Sequence, residues 1–258
     1  MPTLNNGDCR IYWRADGDNQ LPALVLGNSL GTDCTLWDPM LDALMRDFYV
    51  VRFDARGHGG SESPAGPYTI DQLTDDAQAV IAAARLSRYH YWGISLGGMV
   101  GMELAARKPT GLNKLVLSHT AAEFDAGIWD QRIAALKTGG MSAIIDGVIG
   151  RFFTPDFVSK NNVNLKRIRN IALSQAANGY AACCAAIRDM SLYPRLERIQ
   201  VPTLVVVGDL DLSTPKARGQ ALVDRIKGSK MIAVPSAHIA PPEIPEEYLA
   251  AVLPFLKD

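Results

Sequence analysis

Tyr89-His90-Tyr91-Trp92-Gly93-Ile94-Ser95-Leu96-Gly97-Gly98 is the stretch on which the fold turns. Its first four residues read as a buried strand, and the alanine-rich run Leu96 to Lys108 reads as a helix, so Ser95 lies on a strand-turn-helix junction between two glycines. A turn this sharp leaves no room for a Cβ at its flanks, and the chemistry of an exposed nucleophile therefore calls for small residues at positions 93 and 97. The bare Gly-x-Ser-x-Gly pattern is weak, since this composition produces it by chance about once in ten such chains. Its placement after a strand and before a helix carries the inference.

Outward from this junction, short apolar runs alternate with stretches of helical period. Strands are predicted at Cys9 to Arg14, Ala23 to Gly27, Tyr49 to Phe53, Tyr89 to Trp92, Lys114 to Ser118, Thr203 to Val207 and Lys230 to Val234. Helices are predicted at Leu36 to Arg46, Ile70 to Leu86, Leu96 to Lys108, Lys216 to Ile226 and Glu246 to Leu256, the second capped by Thr69 or Asp71. This alternation is the signature of an α/β fold, a mostly parallel sheet flanked by helices. It stops near Thr120 and resumes at Val201-Pro202-Thr203. The intervening segment reads as several helices broken at Gly139-Gly140, Gly150, Pro155 and Gly179, an inserted helical lid. The expected organisation is a core of residues 1–119 and 196–258 with a lid at 120–195.

A serine hydroxyl needs a base to take its proton and an acid to hold that base. Four histidines compete. His58 lies in the turn-rich Arg56-Gly57-His58-Gly59 and reads as a hydrogen-bonded loop residue; His90 sits inside a strand and His119 ends one, both structural. His238 lies in the loop after the last strand, before the final helix, and is the candidate base. For the acid, the strand at Thr203 to Val207 runs into Gly208-Asp209-Leu210-Asp211, at the sheet edge that also carries Ser95. Alternation alone does not choose between Asp209 and Asp211. Either gives the chain order Ser, Asp, His. Backbone N–H groups for the developing oxyanion are expected from Leu96, directly after the nucleophile, and from Leu30 in the polar loop Asn28-Ser29-Leu30-Gly31-Thr32.

The chain has 258 residues, 48% apolar and 21% charged, with 26 Lys+Arg against 27 Asp+Glu. A formal charge of -1 without basic clusters gives no support to a nucleic-acid or anionic-membrane partner. No apolar run approaches the roughly 18 residues of a membrane span, and the N-terminus has no basic region followed by an apolar one, so a cytoplasmic location is expected. Cys9, Cys34, Cys183 and Cys184 form no CxxC, and they read as buried thiols rather than disulfides or a metal site. No heptad repeat or charged tail points to a scaffold, and nothing in the sequence specifies an oligomeric state.

Taken together, these residues resemble the α/β-hydrolase superfamily and, within it, the 3-oxoadipate enol-lactonases of aromatic catabolism. The resemblance spans the chain. It rests on Asn28-Ser29-Leu30-Gly31-Thr32-Asp33 with Trp37-Asp38, on Arg56-Gly57-His58-Gly59, Gly66-Pro67-Tyr68-Thr69-Ile70, Gly93 to Gly98 and Thr120-Ala121-Ala122, and on the surroundings of Asp211 and His238. It implies that Asp211 is the acid, and that Trp129 and Arg132, on the first lid helix, face the substrate. It departs at Pro241, where such lactonases carry a polar residue, and at Glu123, where they tend to be basic; an acid there disfavours a substrate carboxylate unless an arginine compensates. The expected activity is cofactor-free and metal-free hydrolysis of a small-molecule ester or lactone through an acyl-enzyme on Ser95. The alternatives on this fold are another carboxylesterase, a perhydrolase, a carbon-carbon bond hydrolase, or a ligand receptor without turnover.

Overall fold

In the computed structural model, which describes residues 2–258, the predicted strands line up in one eight-stranded sheet. The strands are β1 (Thr3–Asn6), β2 (Cys9–Asp16), β3 (Ala23–Gly27), β4 (Tyr49–Phe53), β5 (Tyr89–Ile94), β6 (Leu112–Ser118), β7 (Thr203–Gly208) and β8 (Lys230–Val234), in the order β1-β2-β4-β3-β5-β6-β7-β8. The strands from β4 to β8 along this order are parallel; β2 joins them antiparallel. β1 was not expected, because Thr-Leu-Asn-Asn buries no side chain fully and exists only as the outer arm of a hairpin with β2.

The central strands read as unbroken apolar runs because helices cover both faces of the sheet. The helices are α1 (Asp38–Leu44), α2 (Ile70–Ala83), α3 (Leu96–Ala106), α4 (Ala126–Gly139), α5 (Ile145–Phe152), α6 (Pro155–Ser159), α7 (Val163–Ser174), α8 (Ala177–Asp189), α9 (Tyr193–Leu196), α10 (Lys216–Val223), α11 (Ala240–Glu243) and α12 (Pro245–Lys257). Alternate residues segregate accordingly. Leu24, Leu26, Trp92 and Val206 pack with Met40 of α1 and Val252 of α12. Val25, Tyr91, Leu117 and Val205 pack with Leu73 of α2 and Met99 of α3.

Two local readings are refined. The cap of α2 is Thr69: its hydroxyl accepts from the Gln72 N–H at 3.1 Å, and the Gln72 side chain accepts from the Thr69 N–H at 3.0 Å, a reciprocal capping box. The helix predicted from Leu36 begins instead as a 3-10 turn, Cys34–Trp37, capped by Asp33, before α1.

Between β6 and β7 the described residues contain no strand, and α4 to α9 fill the interval. The chain breaks at Gly139-Gly140 and restarts at Pro155 as expected, whereas Gly150 and Gly179 lie inside α5 and α8. At Gly179 the reason is tertiary contact: a Cβ there would fall 2.5 Å from the Gly57 Cα. No helix of the described residues is long and apolar enough to cross a membrane.

The parallel register brings the ends of β3, β5, β7 and β8 to one edge, with Gly27 beside Gly93 and Gly208 beside Val234. The segments Asn28–Leu30, Ser95, Asp209–Asp211 and Pro235–His238 all issue from that edge.

Candidate active site

Ser95 follows β5 and caps α3 with φ 54 and ψ -115, a left-handed backbone that costs a residue bearing a Cβ about 1–3 kcal/mol. The surroundings hold it there. Its N–H donates to the Ser118 carbonyl at 2.9 Å, and its carbonyl accepts from Thr120 Oγ1 at 2.9 Å and the Met99 N–H at 3.1 Å. Gly97 abuts β3, where a Cβ would lie 2.3 Å from the Gly27 backbone. Its N–H donates to the Asn28 carbonyl at 2.8 Å, tying the turn to the loop that carries Leu30.

His238 Nε2 lies 2.9 Å from Ser95 Oγ, and its Nδ1 lies 2.8 Å from Asp211 Oδ2. Asp211 is buried while Asp209 is exposed, so the structure separates the two carboxylates that the sequence left open. Asp211 Oδ1 accepts from the Ser213 and Thr214 N–H groups at 2.8 and 2.9 Å, and Oδ2 also accepts from Thr214 Oγ1 at 2.6 Å. Burial by itself raises this carboxyl; the charge and hydrogen bond of His238, with His119 and Thr214, outweigh it and hold Asp211 well below the usual carboxylate range. An ionised Asp211 keeps the His238 proton on Nδ1 and leaves Nε2 free to accept from Ser95.

Leu30 and Ser95 line the same cavity. Among the described residues neither the Leu30 N–H nor the Leu96 N–H has an acceptor. The cavity measures about 160 Å³, close to the roughly 150 Å³ that holds a benzene-sized ring, so it suits a small molecule. It lies between the sheet edge and α4, α5 and α8. Trp129 is buried in its wall, and the Arg132 guanidinium lies over the Trp129 ring at 4.5 Å.

The fold of these elements is that of a known family: residues 22–243 match the alpha/beta hydrolase fold. The chain belongs to that family. This alpha/beta hydrolase is 32% identical to 3-oxoadipate enol-lactonase 2 of Acinetobacter baylyi, over 99% of this chain and 96% of that one. It superimposes on the crystal structure of the enol-lactonase from Burkholderia xenovorans LB400 with a TM-score of 0.97 and 36% identity, each chain covered completely. A protein of Agrobacterium fabrum, provisionally named carbamate hydrolase RutD, is 28% identical over 93% of this chain and 94% of its own length.

Sequence reasoning missed part of the cavity of this alpha/beta hydrolase. Arg151, on α5, faces it together with Arg132, and neither arginine has a carboxylate partner among the described residues. Burial and the neighbouring Arg132 push Arg151 down from the ordinary guanidinium value. Two further lining groups are buried donors without a partner, the Ser29 hydroxyl and Trp129 Nε1. No sequence signal marks Arg151, because which face of α5 meets the cavity depends on how the helices stack. Glu123 is exposed and, like Pro241, does not line the cavity, so neither departure from the lactonase pattern reaches the wall.

Proposed function

We propose that this alpha/beta hydrolase opens a small lactone or ester bearing a carboxylate, of the 3-oxoadipate enol-lactone type, as a soluble cytoplasmic enzyme with residues 120–195 as its lid. One observation carries the reading: the Ser95–His238–Asp211 line opens into a small cavity whose lining holds two guanidinium groups, Arg132 and Arg151, and no carboxylate. A pair of guanidinium groups without a carboxylate partner favours a substrate anion. A neutral ester or carbamate leaves both without an anionic partner.

In the proposed reaction Ser95 Oγ attacks the lactone carbonyl as His238 Nε2 takes its proton, and the Leu30 and Leu96 N–H groups receive the oxyanion. The intermediate collapses by breaking the ring C–O bond. His238 protonates the departing enol oxygen, which stays attached to the acyl chain and tautomerises to the ketone. Water, deprotonated by His238, then attacks the acyl carbon; Ser95 leaves and recovers its proton from His238.

Steady-state kinetics with 3-oxoadipate enol-lactone beside p-nitrophenyl acetate test the reading. The lactone is expected to exceed the ester in kcat/KM by about 10³, with Ser95→Ala inactive on both. Turnover of the neutral ester alone overturns the anionic substrate and leaves a plain carboxylesterase. A wild type that binds the lactone without turnover points to a receptor.

A further inference from the structure

The loop bearing Leu30 is anchored by a residue that the reaction above does not use. His58, in the turn after β4, is buried, and the Gly31 N–H donates to its Nε2 at 2.9 Å. An N–H donates only to a bare ring nitrogen, so the proton of the neutral imidazole sits on Nδ1. Nδ1 lies 3.3 Å from the Arg56 carbonyl, with Cys183 Sγ at 3.9 Å. Arg56 is itself immobilised, its guanidinium donating to both oxygens of buried Asp76 at 2.6 and 2.9 Å. On the other side of the loop, Thr32 donates to the Ser29 carbonyl from its N–H at 3.2 Å and from its hydroxyl at 2.8 Å. The ring of Tyr180 lies 5.9 Å from that of His58 and packs on Gly31. Every donor from Gly31 to Thr32 is thus engaged, and the Leu30 N–H is left free at the cavity.

We propose that His58 is a positioning residue for the oxyanion hole: by accepting from the Gly31 N–H it fixes the Leu30–Gly31 peptide, next to the Ser29–Leu30 peptide that Thr32 holds at its carbonyl, so that the Leu30 N–H between them faces the carbonyl attacked by Ser95. The proposal rests on Ser95 being the nucleophile. Burial keeps His58 neutral at working pH by pushing it down to about 4, against smaller opposing effects of the Arg56 carbonyl and the Asp33 charge.

His58→Ala and His58→Gln are to be assayed with p-nitrophenyl acetate and the enol-lactone, after circular dichroism shows a native fold. The alanine variant is expected to lose about 10²-fold in kcat, the usual cost of a 1 Å misplacement, with KM within about threefold. Glutamine, whose carbonyl can accept from Gly31, is expected to recover most of that loss. An unchanged kcat in folded His58→Ala, or a glutamine variant no better than alanine, overturns the proposal. If the alanine variant does not fold, ¹⁵N spectra of the wild-type histidine rings decide: the Nδ1–H tautomer of His58 supports the proposal and the Nε2–H tautomer overturns it. A wild type inert to both substrates and to a fluorophosphonate probe refutes the nucleophile, and with it this inference. An active wild type with an unaffected His58→Ala refutes this inference alone.

Discussion

Removing the Ser95 hydroxyl leaves the turn and its hydrogen bonds intact, because the backbone groups of Ser95 make every one of them apart from the contact with His238. Ser95→Ala is therefore expected to lose at least about 10⁴-fold in kcat while melting at or slightly above the wild-type temperature, checked by kinetics and calorimetry on one preparation. Asp211→Asn places an amide against Nδ1 and removes the charge that fixes the tautomer; a similar loss of about 10⁴-fold is expected. His58 and His119 link stability to pH. Burial pushes both down to about 4, against about 6.5 in the unfolded chain. Between those values the unfolded chain binds protons that the native state refuses, so stability falls as pH drops, by about 1.4 kcal/mol per pH unit for each histidine. The gap between the urea midpoints at pH 7 and pH 5 is expected to narrow in His119→Gln, which cannot titrate, while His58 and His90, the latter also pushed down to about 4 by burial, keep their shares; an undiminished gap shows that His119 contributes nothing.

At the scale of elements, α11 clasps the loop of His238 to the helices above the sheet edge. One oxygen of Glu243 accepts from the Thr154 N–H and hydroxyl at 2.9 and 2.5 Å, and the other accepts from the Ala237 N–H at 3.0 Å. The Ile239 N–H donates to the Phe152 carbonyl at 2.9 Å, so both neighbours of His238 are pinned to residues at or just beyond the end of α5. Glu243→Ala is expected to cost about 1–3 kcal/mol by leaving those donors unpaired, and to lower kcat more than it raises KM as His238 loosens. Equal activity at reduced stability would make the clasp purely structural. The packing of α8 on the turn after β4 is tighter still. Gly179→Ala is expected to destabilise by about 1–3 kcal/mol through the collision with Gly57, read as a lowered melting temperature. From the sequence, Gly179 reads as a helix breaker and nothing marks Glu243, because Gly57 and Thr154 are far from them in the chain.

For the whole molecule, a formal charge of -1 gives no net attraction for an anion, so under the proposed function discrimination falls to the arginines in the cavity. Replacing Arg132 or Arg151 with methionine is expected to reduce kcat/KM for the enol-lactone by about 10- to 100-fold and leave p-nitrophenyl acetate within about threefold. Parallel losses on both substrates would assign these side chains to lid packing instead. The folded surface is 10740 Å², matching the scaling expectation of about 11,000 Å² for one compact body. A cavity roofed by three helices therefore sits on one edge of a continuous sheet rather than between separate lobes.

Local patterning along the chain specifies the alternation of strands and helices, the interruption after β6, and the junction at Ser95. Each of these is written in local periodicity or in glycines that a tight turn demands. The same patterning marks Leu96 and His238 as candidates, since their places follow directly from that junction and from the last strand. The choice of Asp211 over Asp209 came from family resemblance, and burial supplies its physical basis: one carboxylate turns inward to His238 and the other outward to water. Packing between elements sets Arg151 beside Arg132, leaves Glu123 outside, and lets His58 and Glu243 brace the loops of the site. The contacts of Gly31 with His58 and of Thr154 with Glu243 join residues 27 and 89 positions apart, and the stacking of elements, not chain periodicity, brings them together.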